Sequence, residues 1–187
     1  MKHQIKLNKQ TVRDTMKKKL RHQSEENRFQ NSRIVDGLVH DLTAYRKASV
    51  VMFYLSMAEE LDTREMIQHA LAQNKTVILP VVQADSESLL PVQLKNLDHL
   101  KPGKHGVLEP ADWEEVFPLE QIEIVFVPAI AFDKKNHRLG RGKGYYDRFL
   151  SHLEHQVMKV GLAYDFQLVD ELPREEHDLA MDLVIHN

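Results

Sequence analysis

The spacing of apolar residues along this chain changes several times, and the changes predict an alternating order of helices and strands. Over residues 1 to 22, Val12, Met16 and Leu20 recur every four residues in an otherwise polar stretch, which predicts a helix with a narrow apolar stripe. A second helix is predicted from Ser24 to about Arg46. Ser24 followed by Glu25 and Glu26 makes its start, and Ile34, Val35, Leu38, Val39 and Leu42 supply its apolar face. Continuous apolar, β-branched runs then read as strands at 50 to 55 (VVMFYL), 76 to 82 (TVILPVV), 123 to 128 (EIVFVP), 159 to 164 (KVGLAY) and 182 to 186 (DLVIH). Between them, Asp62-Thr63-Arg64-Glu65 resembles a capping box ahead of Met66, Ile67, Ala70 and Leu71. Residues 145 to 155 carry Tyr146, Phe149, Leu150 and Leu153 at i, i+3, i+4 and i+7 of a further helix. Strands alternating with amphipathic helices predict an α/β fold on a mainly parallel central sheet with helices on its faces.

Residues 83 to 121 interrupt the alternation with Pro91, Pro102, Gly103, Gly106, Pro110, Pro118 and the single tryptophan, Trp113. A connection of this length is either a functional cover over a substrate or a surface excursion with short strands of its own.

With 187 residues and 42% hydrophobic content, the chain is long enough for one substantial core, so a single domain over 1–187 is expected. The formal net charge of −3 gives no global field favouring nucleic acid or an anionic membrane, and neither is expected as a partner. The absence of cysteine excludes disulfides, thiolate metal sites and a cysteine nucleophile. No apolar run approaches the roughly 20 residues that span a bilayer, and the N-terminus MKHQIKLNKQ lacks the apolar segment of a signal peptide. A soluble, cytoplasmic monomer is the expectation. Residues 1 to 22 are basic, with Lys2, Lys6, Lys9, Arg13, Lys17, Lys18, Lys19 and Arg21 against Asp14. Such a segment suits a transit peptide, a membrane-surface helix or a solvated face. It also suits one edge of a phosphate site, since Lys9 and Arg13, like Lys17 and Arg21, share a helical face.

The stretch RLGRGKGYYDRFL, residues 138 to 150, holds the most specific chemistry. Gly140, Gly142 and Gly144 alternate with Arg141 and Lys143 behind Arg138, directly before a helical run. Glycine at alternate positions removes Cβ atoms and permits positive φ, so successive amides can converge on an anion, and the following helix N-terminus points the same way. The helix end contributes about 0.3–1 kcal/mol, against about 1.5–3 kcal/mol for each hydrogen bond to a charged partner. Arg138, Arg141 and Lys143 should therefore dominate binding. The alternative is a surface turn with solvated basic residues. Position favours the anion site, because the loop follows IEIVFVPAIAF (122 to 132), which reads as a strand buried on both faces, and open α/β sheets bind ligands at the carboxyl ends of strands. The loop departs from a Walker A motif, having Gly144 where Ser or Thr would follow Gly142-Lys143, and from G-x-G-x-x-G.

Asp147 lies in the first helical turn. Beside a polyphosphate, a carboxylate implies a bridging hard cation, and Mg²⁺ commonly takes one or two carboxylates plus phosphate oxygens. An acid there also stabilises a helix start without any metal. Glu59 and Glu60 form a carboxylate pair just past a strand end, and Glu176-His177-Asp178 precede Asp182; either acid of the latter group is a further candidate beside Asp147.

These residues resemble the 5-formyltetrahydrofolate cyclo-ligase family, also called methenyltetrahydrofolate synthetase. VPAIAFDKKNHRLGRGKGYYDRFL is similar to that family's most specific segment, YLSMAEELDT to its Tyr-x-Ser-x-x-x-Glu-x-x-Thr segment, GVLEP to its Gly-x-x-Glu-Pro turn and LPREEHDLAMDLVI to its C-terminal end. The resemblance implies a single-domain, Rossmann-like, three-layer fold. It also implies ATP- and Mg²⁺-dependent conversion of 5-formyltetrahydrofolate to 5,10-methenyltetrahydrofolate, with release of ADP and phosphate. In that chemistry the formyl oxygen is phosphorylated, which makes it expellable, and N10 closes the ring.

By position, the resemblance implies ATP contacts from Lys9, Arg13, Arg138, Leu139, Gly140, Arg141, Gly142, Lys143, Gly144, Tyr145 and Tyr146. It implies folate contacts from Leu55, Glu60 and Arg141 through Tyr145, Mg²⁺ at Asp147 and Asp182, and catalytic parts for Arg141, Lys143 and Tyr145. KQTVR (Lys9 to Arg13) and KKKLR (Lys17 to Arg21) both fit the family's N-terminal pair. Lys9 and Arg13 are preferred by their distance from Ser24, although Val12 stands where leucine is usual. The competing functions are a sugar-phosphate or acyl-transfer enzyme on a similar fold, and a nonenzymatic anion- or nucleic-acid-binding module.

Overall fold

The computed structural model describes residues 2–83, 86, 88–173, 175 and 178–187. In chain order the helices are α1 (Lys2–Arg21), α2 (Glu25–Asp41), α3 (Thr43–Lys47), α4 (Arg64–Ala72) and α5 (Tyr145–Leu150). The strands are β1 (Val50–Met52), β2 (Thr76–Val82), β3 (Leu89–Gln93), β4 (Leu100–Pro102), β5 (Leu108–Pro110), β6 (Ile124–Val127), β7 (Ala131–Asp133), β8 (Arg138–Leu139), β9 (Met158–Ala163), β10 (Leu168–Val169) and β11 (Leu183–His186). Six of them form the central sheet in the order β11-β9-β6-β1-β2-β3. All its pairings are parallel except that of β3, which runs antiparallel to β2 at the edge.

Alternation along the strands divides the core into two halves. Val51, Val77, Leu79, Ile124 and Phe126 face one side, where Met16 and Leu20 of α1, Val35 and Val39 of α2, Tyr45 of α3 and Met66 and Ile67 of α4 cover them. Met52, Ile78, Val125 and Val127 face the other, against Phe149 and Leu150 of α5 and Phe132 of β7. Burial of each such side chain is worth about 1.5–3 kcal/mol, and three layers result because a parallel sheet must be covered on both faces.

Several sequence expectations are corrected. The helix expected from 24 to 46 divides at Leu42, whose extended backbone (φ −65°, ψ 115°) turns the chain so that Tyr45 and Ala48 enter the core. Ser24 does cap α2, accepting from the Asn27 amide at 3.1 Å. The buried face of α2, however, is Ser32, Val35, Asp36 and Val39, with Ile34 and Leu38 exposed. The two polar residues tolerate burial because each finds a partner: the Asp62 amide donates to Ser32 Oγ, and His69 Nδ1 lies beside Asp36 Oδ2. The capping box before α4 is not made, since Thr63 Oγ1 donates inward to the Tyr54 carbonyl at 2.6 Å. Asp62 accepts from the Arg64 amide instead. Residues 83 to 121 supply short strands, namely the β3 edge and the β4–β5 hairpin. The helix expected over 145 to 155 ends at Leu150, where bonds tighten to His152 N–H to Phe149 C=O and Leu153 N–H to Leu150 C=O.

The run 122 to 132 is not one strand. Pro128, lacking an N–H, ends the ladder after β6, and the chain continues into β7 of a separate three-stranded sheet ordered β10-β7-β8. The glycine-rich loop therefore hangs from this small sheet. No helix among the described residues is long and apolar enough to cross a membrane.

Candidate functional site

Strand order reverses between β1 and β6, because β2 follows β1 on one side and β9 and β11 follow β6 on the other. Such a switch point opens a crevice at the carboxyl ends of the two strands. The segment leaving β1 carries Leu55, Glu59 and Glu60; the segment leaving β6 carries β7, β8 and the glycine-rich loop.

The β7–β8 turn is built by Asp133, which is 2% exposed. Its carboxylate accepts from the backbone N–H groups of Lys135 at 2.9 Å, His137 at 3.0 Å and Leu172 at 3.2 Å. Burial opposes its charge, but these donors win and hold its pKa below the usual carboxylate value. β8 then delivers Arg138 into the protein with a side chain only 3% exposed, donating from Nη2 to Asp147 Oδ1 at 2.7 Å. Desolvation lowers the Arg138 pKa while Asp147 pulls it back. Arg138 Nε is buried with no hydrogen-bond partner, an unsatisfied donor beside the loop.

Past β8 the backbone needs glycine at two points: Gly142 has φ 102° and Gly144, which opens α5, has φ 70°. Guanidinium groups crowd the space a side chain would fill. A Cβ at Gly142 would lie 3.4 Å from Arg13 Cζ, and one at Gly144 only 2.8 Å from Arg148 Nη1. Arg13 Nε donates to the Gly140 carbonyl at 2.9 Å, tying α1 to the loop. Arg148 lies over the Tyr145 ring at 5.5 Å. Lys143 is exposed and has no bonding partner among the described residues. Arg13, Arg138, Arg141, Lys143 and Arg148 thus surround a backbone stripped of Cβ atoms, an arrangement suited to a polyanion.

Arg141 joins the loop to the β1 segment. Its Nε and Nη2 donate to Glu60 Oε1 at 3.1 and 2.9 Å, and Glu59 Oε2 stands 3.6 Å from Nη2. Glu60 Oε2 accepts from the Met57 amide at 3.0 Å. Behind this pair lie three tyrosines. Tyr164 Oη donates to the Glu60 carbonyl at 3.1 Å. Burial, and then the Glu60 charge, raise the pKa of the Tyr54 and Tyr146 hydroxyls, and burial raises that of Tyr164, so all three are neutral donors at ordinary pH.

Other expected residues sit elsewhere. Lys9 is buried, with Nζ 2.6 Å from Asp178 Oδ2 and 3.2 Å from Glu175 Oε2, and pins α1 to the C-terminal segment. Of the two candidate basic pairs, Arg13 is the member that bonds the loop, whereas Arg21 reaches Glu59. The Leu55 and Leu139 side chains are in the core, 5% and 3% exposed. Asp147 and Asp182 are not brought together. Asp182 lies at the amino ends of β9 and β11, its Oδ2 accepting from the Lys159 amide at 2.7 Å, and it shares no bonding partner with Asp147 among the described residues. Glu176 and His177 lie outside the described residues. Arg148, Tyr54, Tyr164 and Asp133 were not singled out from sequence. Arg148 falls within the RLGRGKGYYDRFL stretch, Tyr54 opens YLSMAEELDT and Asp133 lies in VPAIAFDKKNHRLGRGKGYYDRFL, whereas Tyr164 carries no local signal, since its partner Glu60 is distant in the chain.

Asp147 suits a hard cation next to phosphate: its side chain is 30% exposed and its Oδ2 has no hydrogen-bond partner among the described residues. The basic loop supplies a positive wall suited to a polyanion.

Residues 5–187 match the model of the 5-formyltetrahydrofolate cyclo-ligase family. The 5-formyltetrahydrofolate cyclo-ligase of Haemophilus influenzae is 37% identical over 145 residues, covering 75% of this chain and 77% of that one. Its Mus musculus counterpart is 30% identical over 188 residues, covering 95% and 93%. The NMR structure of 5,10-methenyltetrahydrofolate synthetase from Aquifex aeolicus superposes with a TM-score of 0.83 at 31% identity, over 95% of this chain and 89% of that one. A 5,10-methenyltetrahydrofolate synthetase from Mycoplasma pneumoniae superposes with a TM-score of 0.77 at 25% identity, over 95% and 98%.

Proposed function

The chain belongs to the 5-formyltetrahydrofolate cyclo-ligase family, and from that premise we propose how its own residues close the folate ring with ATP as phosphoryl donor. The enzyme converts 5-formyltetrahydrofolate to 5,10-methenyltetrahydrofolate. The observation that carries the proposal is the Arg141–Glu60 pairing, which sets a phosphate-binding loop against a carboxylate from the neighbouring strand end.

Arg13, Arg138, Arg141, Lys143 and the amides of residues 140 to 146 bind the triphosphate. The unsatisfied Arg138 Nε is one donor to it, and the glycines let phosphate oxygens approach the backbone. Glu60 receives the N–H edge of the pterin. A carboxylate offers about four acceptor sites, and Arg141 and Met57 use three. Tyr54, Tyr146 and Tyr164 form the neutral polar floor.

The formyl group on N5 is an amide, with a weakly electrophilic carbon and an oxygen that does not leave unaided. Its oxygen attacks the γ-phosphorus, and the bond to the β-phosphate oxygen breaks to release ADP. N10 then attacks the formyl carbon. The carbon–oxygen bond breaks, inorganic phosphate departs with the former formyl oxygen, and N10 loses its proton. Arg141 and Lys143 stabilise the charge that develops on the transferring group, and Tyr145, stacked by Arg148, borders both ligands. Because N5 and N10 belong to one molecule, the second step gains from proximity once the substrate is held. Mg²⁺, held by Asp147 with phosphate oxygens, would supply charge neutralisation. The whole span 1–187 acts as one domain, since α1 and the β1 and β6 segments all contribute.

Incubation with 5-formyltetrahydrofolate, ATP and Mg²⁺ should yield the methenyl chromophore with one ADP and one phosphate per turnover. Folded protein that yields no chromophore with all three present, or yields it equally without ATP, would overturn the proposal.

A further inference from the structure

Helices α2 and α4 meet at three side chains that the folate chemistry does not use. Asp36 and His40 stand one turn apart on α2, and His69 projects from α4. His69 Nδ1 lies 3.1 Å from Asp36 Oδ2, His40 Nε2 lies 3.3 Å from Asp36 Oδ1, and the two ring nitrogens are 3.3 Å apart. None of the three shares a hydrogen bond or ion pair with the glycine-rich loop, Glu60 or Asp147.

Hydrogen bonding alone cannot satisfy this triangle. An ionised carboxylate only accepts, so each nitrogen facing it must carry a proton. Two N–H groups would then confront each other across the nitrogen–nitrogen edge. Removing one proton mends that edge and sets a lone pair against the carboxylate. With the carboxylate ionised, every assignment leaves one edge opposed. Asp36 Oδ1 shows the result: it is buried and has no hydrogen-bond partner. The nearby Tyr45 hydroxyl is also buried and unpartnered.

A central cation relieves all three edges at once. Tetrahedral zinc with bonds of about 2.0–2.1 Å places its ligand atoms roughly 3.3–3.4 Å apart; the two nitrogens are 3.3 Å apart, and each lies 3.1–3.3 Å from one of the two Asp36 oxygens, so a small turn of the carboxylate presents one oxygen to both. Two imidazoles and one carboxylate suit zinc or its neighbours, whereas magnesium and calcium prefer all-oxygen sites. We propose that Asp36, His40 and His69 form a zinc-type transition-metal site clamping α2 to α4, with a fourth position open to water. The ligand side chains are 11%, 26% and 51% exposed, so the site is anchored at its carboxylate and accessible at His69. Gln73 Nε2 lies 3.5 Å from His40 Nδ1; with Nε2 on the metal, Nδ1 carries the proton, so the Gln73 amide turns its Oε1 to the ring to accept from it.

Cobalt(II) is the probe, titrated into the full chain with excess Mg²⁺ to occupy sites of purely carboxylate character. One equivalent should bind with the intense visible bands of tetrahedral cobalt, zinc should displace it, and zinc should raise the melting temperature. His69→Ala should weaken cobalt binding by at least about 100-fold, the upper range for disturbing even a supporting partner, and abolish the zinc-dependent rise in melting temperature. His155→Ala, which changes an exposed histidine outside the cluster, should do neither. His69→Gln serves as a second variant if the alanine form melts early without metal. Turnover of folate without added zinc should be unchanged in His69→Ala. Equal cobalt affinity in wild type and both His69 variants, or no cobalt or zinc binding below millimolar concentration, would overturn the assignment.

Discussion

Arg141 and Glu60, 81 positions apart in the chain, are joined by two hydrogen bonds to a single carboxylate oxygen, at 3.1 Å from Nε and 2.9 Å from Nη2. The pair joins the β1 and β6 segments across the crevice between them. Replacing Glu60 by Gln removes the charge that Arg141 uses and that the pterin edge is proposed to use. Hydrogen bonds to charged groups are worth about 1.5–3 kcal/mol, so the KM for 5-formyltetrahydrofolate should rise about 10- to 100-fold. The KM for ATP should change much less. Steady-state kinetics with each substrate varied separately tests this, and an unchanged folate KM would remove Glu60 from the folate site.

Lys143 is exposed and without a bonding partner among the described residues, so its truncation should leave the fold intact, within about 0.5 kcal/mol. Lys143→Ala should nevertheless lose about 10²-fold or more in ATP-dependent turnover, the order expected when one preorganised charge is withdrawn from a transition state. Thermal unfolding and kcat measured on the same preparation separate the two effects. Wholesale unfolding of the variant would contradict the assignment of Lys143 to the ligand alone.

Asp147 pairs with Arg138 and is proposed to hold the cation, so Asp147→Asn should reveal both relationships. The Mg²⁺ concentration for half-maximal rate should rise steeply. Stability should fall by about 1–3 kcal/mol, because Arg138, with a side chain only 3% exposed, keeps its charge but loses the carboxylate. An unchanged Mg²⁺ response would take Asp147 out of the metal site, while an unchanged melting temperature would show that Arg138 finds its counter-charge elsewhere.

Asp133 carries the small sheet from which the loop hangs. Asp133→Ala leaves three backbone N–H groups without their acceptor, so a loss of about 3 kcal/mol or more is expected, roughly 6–12 °C in a chain of this size. The pH dependence has a definite sign. The folded pKa lies below the ordinary value of 3.8, so the unfolded chain binds the proton more readily. The stabilisation is complete above 3.8 and disappears as pH falls through the lower folded pKa. Between 3.8 and the lower folded pKa, the loss of stability with falling pH should therefore be shallower in Asp133→Ala than in wild type, and parallel curves across that window would refute the charge-based role.

The sequence determined the layered α/β architecture, because apolar runs of strand length alternating with helical periodicity leave few arrangements that bury both faces of a parallel sheet. β2 falls exactly where TVILPVV predicts it, at Thr76–Val82. The loop was equally legible, since glycine alternating with Arg141 and Lys143 has a local physical meaning that needs no partner from elsewhere. What tertiary structure alone decided was pairing at a distance. Nothing near Arg141 in the chain announces Glu60, nothing near Arg13 announces the Gly140 carbonyl, and nothing near Lys9 distinguishes a ligand-facing lysine from one held by Glu175 and Asp178. The same is true of α2, whose inward face is set by what lies opposite. Ser32 and Asp36 turn in because Asp62 and His69 meet them, and the more apolar Ile34 and Leu38 turn out. Periodicity records how much apolar surface a segment can bury, but the direction it faces and the partners of its polar groups depend on chain segments that only folding brings near.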